Sequence, residues 1–93
     1  MPEQLPLPKR LSVEGWKVKI RDLEHGEPPH ATVIRGRTDW RWNLRSRRFM
    51  DRKPNPRDVP DELVRLPRTH HADLVRWWDT TFPDNPVGPR EEE

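Results

Sequence analysis

The chain has 93 residues, of which 30% are apolar and 37% are charged, and its net charge is +2. It contains no cysteine, which excludes disulfide bonds and thiolate metal ligands, and no apolar run approaches the roughly 20 residues that a membrane-spanning helix needs. Five tryptophans can still build a core from few residues, because each buries roughly 200 Å². We therefore expect one small cytoplasmic domain with no membrane segment.

The domain is predicted to span residues 13–82. Polar, proline-containing segments lie on either side of it, at residues 1–12 and 83–93, and both are expected to be flexible tails. So small a core is expected to be stable by only a few kcal/mol, and a homodimer interface could add to that stability.

Several stretches of the chain have the composition of β-strands. Segment 16–20 alternates apolar and basic residues, which predicts a first strand with one buried face. The β-branched segment 31–35 predicts a second strand, and the alternating segment 39–45 predicts a third. A turn near Ser46 would allow a short fourth strand at 48–51.

Two helices are predicted to follow the sheet. Pro60 is expected at the first helical position after Asp58, and Pro67 is expected to end this helix within about two turns. Thr69 is predicted to cap the second helix, whose apolar residues recur at the spacing of one face. These residues are Leu74, Trp77, Trp78 and Phe82. The order β-β-β-(β)-α-α predicts an α+β fold, a three- to four-stranded antiparallel sheet with the C-terminal helices packed on one face.

The segment between the first two predicted strands has a distinctive sequence. Residues 24–30 read Glu-His-Gly-Glu-Pro-Pro-His. With the strand and helix order, this segment resembles a widespread prokaryotic family of small domains of unknown function that carry a His-x-x-Pro-Pro-His-x-His signature there. The resemblance covers roughly residues 16–82 and implies a small operon partner, since some members are described as toxins or as parts of toxin–antitoxin modules. The chain departs from the signature at its last histidine, where it has Thr32.

Charge is concentrated in the middle of the chain. Residues 35–57 hold nine basic and two acidic side chains, whereas residues 58–93 hold four basic and nine acidic ones. On the third strand we expect Trp40 and Trp42 in the core and the arginines on the opposite, exposed face, at a spacing of about 6.6–7 Å that is close to that of nucleic-acid phosphates. We therefore predict that RNA or DNA phosphates are bound by Arg35, Arg37, Arg41, Arg45, Arg47 and Arg48.

Other interpretations of the basic segment, residues 35–57, stay open. It could dock an acidic protein partner, with Trp77 or Trp78 at the edge of the core as an apolar anchor. It could also be a solvated charged face whose arginine stems cover apolar surface, or a face that pairs with the acidic C-terminal third.

The histidines provide one catalytic hypothesis. His25 and His30 flank the Pro-Pro turn and could act as general acid or base in metal-independent RNA cleavage, with arginines holding the phosphate. No second clear base accompanies them, so we expect a binding protein rather than an enzyme; the alternative role for His30 is a hydrogen bond to a turn carbonyl. His70 and His71 diverge by about 100° on a helix, so both cannot easily face one metal ion. We therefore expect no metal, and we expect no other cofactor.

Overall fold

A computed structural model describes residues 4–21 and 26–88 of the chain. Four antiparallel strands form one sheet in the order β1-β2-β3-β4, which confirms the predicted α+β fold with its fourth strand. The elements in chain order are α1 (Lys9–Val13), β1 (Trp16–Lys19), β2 (His30–Arg35), β3 (Thr38–Asn43), β4 (Arg48–Phe49), a 3-10 turn (Pro56–Asp58), α2 (Asp61–Thr69) and α3 (His71–Thr81). None of the helices in the described part of the chain is long and apolar enough to cross a membrane.

Two tight turns set the register of the hairpins on either side of β3. Gly36 begins the β2–β3 turn with a φ of 60°, and Arg35 pairs with Thr38 across it. Glycine at the first central position of a two-residue loop is typical of a type II′ turn, whose twist matches that of the strands. In the β3–β4 turn, Asn43 accepts hydrogen bonds through its side-chain carbonyl from two backbone N–H groups, and Arg47 has a φ of 60°.

The core forms where alternate strand residues meet the helices. Trp40 and Trp42 are 5% and 1% exposed, so the alternation predicted for β3 is confirmed. β2 lies between two strands and is buried at four successive positions, His30–Val33, so this part of it is covered on both sides. Leu63 of α2 and Leu74 of α3 belong to the same hydrophobic cluster.

The helix boundaries differ from the prediction at three positions. Pro60 is the N-cap of α2 rather than its first helical residue, which is Asp61. Pro67 lies inside α2 rather than ending it, and its burial offsets the backbone hydrogen bond that a proline cannot donate. Thr69 is the last residue of α2 rather than the cap of α3. His70 takes both roles, because its N–H bonds to Leu66 O at the end of α2 while its carbonyl accepts from the N–H of Leu74 in α3.

The core also extends beyond the predicted limits of 13 and 82. Leu5 and Leu11 are 2% and 1% exposed, and the N–H of Leu5 bonds to the Val18 carbonyl at 2.8 Å. At the other end Val87 is 2% exposed. The segments expected to be tails thus pack on the domain at these points. The sequence does not predict this packing, because single apolar residues outside a strand or helix form no periodic pattern. Residues 1–3 and 89–93 of the predicted tails lie outside the described residues.

Candidate nucleic-acid interface

Arg41 is held by the protein's own carboxylates. Its Nε and Nη2 donate to the two carboxylate oxygens of Asp51 at 2.8 and 2.6 Å, and its Nη1 donates to Glu27 Oε1 at 2.6 Å. The bonds with Asp51 raise the pKa of Arg41 above its usual range and lower the pKa of the Asp51 carboxyl. Arg41 thus connects β3 to the segments before β2 and after β4. It is not the solvent-exposed, unpaired arginine that the strand pattern predicts.

Arg45 is also occupied within the domain. Its Nε donates to the Val87 carbonyl at 2.8 Å and its Nη2 to the Pro86 carbonyl at 2.9 Å, with the Asn85 side-chain oxygen at 3.4 Å. The guanidinium therefore binds the segment after α3 to the β3–β4 turn. Like Arg41, Arg45 would have to lose contacts that hold the fold together before it could bind a phosphate.

The remaining predicted arginines differ in exposure. Arg35 is exposed; its Nε donates to the Glu14 carbonyl at 3.2 Å and its guanidinium carbon lies 5.4 Å from the centre of the Trp16 ring. Arg37 is exposed in the β2–β3 turn, with no hydrogen bond or ion pair to any described residue. Arg48 is exposed on β4, whereas Arg47 is half-buried and its Nε is buried with no hydrogen-bond partner in the described ranges.

Three further cations lie on the loop that follows β4. After β4 the chain continues beside β3, as the bond from the Met50 N–H to the Arg41 carbonyl at 2.9 Å shows. The Trp40 indole N–H then donates to the Asn55 carbonyl at 3.0 Å, which holds the next loop against the turn end of β3. This loop carries the exposed side chains of Arg52, Lys53 and Arg57. They belong to the basic segment 35–57, but a loop has no periodicity that would single them out.

We call the cations at this end of the sheet the turn-end surface. Its exposed members are Lys17, Arg35, Arg37, Arg52, Lys53 and Arg57. Lys17 lies at this end because β1 begins here; it pairs with Ile34, and its side chain leaves the face of the sheet opposite to that of Trp16 and Arg35. None of the six is paired with a carboxylate in the part of the chain that the structure describes.

The acidic residues around the turn-end surface do not cancel its charge. Asp39, next to the turn, forms an ion pair with Arg21, whose Nη1 lies 3.1 Å from Asp39 Oδ2. Glu14, whose carbonyl accepts from Arg35, and Asp58, which follows Arg57, are both exposed. The surface therefore keeps an excess of positive charge.

His30 has a structural place in the fold. It is 1% exposed, and its Nδ1 donates to the Pro28 carbonyl at 2.9 Å, which is the turn-carbonyl bond that the alternative interpretation predicts. Its ring packs 5.4 Å from that of Trp78, centroid to centroid. His25, the second candidate for acid–base chemistry, lies outside the described residues. The described residues contain no group of three or more histidine, aspartate or glutamate side chains that could hold a metal ion.

The two candidate anchor tryptophans have different environments. Trp78 is fully buried and its indole N–H donates to the Asn85 carbonyl at 2.7 Å. Trp77 is half-buried against the core. Adjacent helix positions cannot both face inward, so Trp77 is the one at the edge of the core.

Comparison of the chain with family models, with curated proteins and with solved structures finds no match. The resemblance to the small prokaryotic family with the His/Pro-Pro/His signature stays a prediction.

Proposed function

We propose that this domain binds the phosphates of RNA or DNA through the turn-end surface, as a small regulatory or toxin–antitoxin-like component. The observation that carries the proposal is that six exposed cations lie at one end of the sheet with no carboxylate paired to any of them among the described residues. Unpaired cations can exchange solvent for phosphate at little cost, and each contact releases counterions condensed on the nucleic acid. Arg41, by contrast, would first have to leave two carboxylates.

The loops that carry these cations are fixed by hydrogen bonds. Arg37 lies in a two-residue turn closed by strand pairing on both sides. The loop bearing Arg57 is tied to the sheet through Trp40, and the Asn55 side chain caps its 3-10 turn by accepting from the Arg57 N–H at 3.0 Å. Cations on ordered backbone lose less conformational entropy on binding, which favours a phosphate-binding role.

The two other hypotheses have less support. An acidic protein would be attracted by the same charges, but the apolar anchors predicted for such a partner, Trp77 and Trp78, expose little aromatic surface. Trp78 is buried in the core, and only Trp77 is partly exposed among the tryptophans. For RNA cleavage, a general base must reach the substrate, whereas His30 is 1% exposed and occupied by a turn carbonyl.

The test is fluorescence anisotropy of labelled single-stranded RNA and duplex DNA, titrated with the protein between about 50 and 300 mM salt, where each phosphate contact adds about 0.7–0.9 to the log-log slope. We expect a slope equivalent to several contacts. The double variant Arg37→Gln/Arg52→Gln should lower the slope by about two contacts. Its matched control, Arg65→Gln/Arg76→Gln, removes the same charge from exposed helix positions and should keep the slope.

Two results would contradict the proposal. One is the absence of binding to either nucleic acid at 50 mM salt, which would move the assignment to an acidic protein partner. The other is an equal loss in the two double variants, since this would mean that net charge rather than the turn-end surface determines the affinity.

A further inference from the structure

We infer that the turn-end surface, if it binds nucleic acid as proposed, takes duplex DNA rather than a single strand. The first reason is the position of the aromatic rings. All five tryptophans and both phenylalanines lie in the described residues, and the sequence has no tyrosine. None of the seven rings is exposed: five belong to the buried core, and Trp77 and Phe49 are half-buried against it.

This burial removes the chemistry by which single strands are usually held. Proteins that bind single strands stack successive bases on aromatic side chains along a basic groove. At the turn-end surface the nearest rings are those of Trp16 and Trp40, which pack on each other with centroids 5.5 Å apart and are 3% and 5% exposed. Arg35 lies over the Trp16 ring, so no tryptophan face is presented to a base.

The second reason is charge density. A surface that offers only guanidinium and ammonium groups gains most of its affinity from counterion release. Duplex DNA carries one charge per about 1.7 Å of its axis, twice the density of one strand, and each contact releases more counterion, about 0.9 against 0.7. The same six cations are therefore expected to hold a duplex more tightly than either of its strands.

The third reason is the shape of the surface. Its cations come from β1, the β2–β3 turn and the loop after β4, so they form a patch rather than a single track. A patch of this kind can contact the two backbones of a duplex together, whereas a single strand offers only one backbone.

The experiment compares four labelled probes of one sequence at about 100 mM salt: a 20-base-pair DNA duplex, each of its two single strands, and the corresponding RNA duplex. We expect the DNA duplex to bind at least about tenfold more tightly than either of its single strands. Equal or tighter binding of a single strand would overturn the inference and make the exposed Arg35 guanidinium the candidate stacking plane, while leaving phosphate binding intact. Tighter binding of the RNA duplex would overturn the assignment to DNA. Failure of all probes to bind would overturn this inference and the proposed function together.

Discussion

The two turns that flank β3 use arginine in opposite ways. At the β3–β4 turn, Arg45 is bonded to the segment after α3, and nearby Arg41 is bonded to two carboxylates. At the β2–β3 turn, Arg37 is exposed and has no partner in the described ranges. The residue type and the local strand pattern are the same at both ends. The difference comes from other parts of the chain. They supply carboxylates and carbonyls as partners at the β3–β4 end, and more cations at the β2–β3 end.

The largest expected effect is a loss of stability in Arg41→Gln. It distinguishes the arginines that are bonded within the domain from those that are exposed. The change removes a bidentate bond to Asp51 and a second bond to Glu27, and leaves two partly buried carboxylates close to each other. Charge-assisted bonds of this kind contribute more than neutral ones, but the side chains are about one-third exposed and water reaches them, so we expect a loss of about 2 kcal/mol in the free energy of unfolding. Urea denaturation measures it.

The control for that measurement is Arg37→Gln, which removes the same charge from an exposed turn and should change stability by less than about 0.5 kcal/mol. If the two variants were equally stable, Arg41 would be as weakly held as a solvated surface charge, and the distinction between the two groups of arginines would fail.

Acid should weaken the Arg41–Asp51 pair in a defined direction. Hydrogen bonding from Arg41 lowers the pKa of Asp51 in the folded state, so its contribution to stability is complete above the unfolded-state pKa of about 3.9 and is lost as the pH falls through the lower folded-state pKa. The difference in unfolding free energy between the natural chain and Asp51→Asn should therefore be large at pH 6 and shrink towards pH 2.5. Urea denaturation across this range tests it, with the exposed Asp84→Asn as control. A difference that stays constant with pH would argue against the pair.

Local patterns predicted the parts of this site that depend on neighbouring residues. The alternation in β3 placed Trp40 and Trp42 in the core, and the glycine at position 36 marked a turn that the structure contains. Both features follow from rules of short range, the two-residue period of a strand and the φ of a turn.

What the sequence could not predict depends on contacts across the chain. The partners of Arg41 lie 14 positions before and 10 after it, and those of Arg45 lie 40 or more positions away. No periodic pattern encodes such contacts, so the strand pattern alone predicts that these arginines are exposed like the rest. The position of the cations in the 52–57 loop could not be predicted for the same reason, since the loop is held beside β3 by contacts between distant residues such as the bond from the Trp40 indole to the Asn55 carbonyl.

A smaller effect on stability is expected at Arg45, in the β3–β4 turn. Arg45→Gln removes the bonds to the Val87 and Pro86 carbonyls, but the segment after α3 keeps other contacts, including the bond from the Val87 N–H to Asp79 at 2.9 Å. We therefore expect a loss of about 1 kcal/mol, seen by urea denaturation and by faster hydrogen exchange of the Val87 N–H. Lysine should not restore it, because one ammonium cannot reproduce the guanidinium fork.

The binding readout completes the test of Arg45. Because its guanidinium is already occupied by backbone carbonyls, Arg45→Gln should keep the salt dependence of nucleic-acid binding, whereas Arg37→Gln should lower the slope by about one contact at unchanged stability. The two variants remove the same charge from the two turns that flank β3. We expect Arg45→Gln to lower stability and keep binding, and Arg37→Gln to weaken binding and keep stability. A lowered slope in Arg45→Gln would mean that this arginine leaves the Val87 carbonyl for a phosphate, and the two turns would then act as one surface.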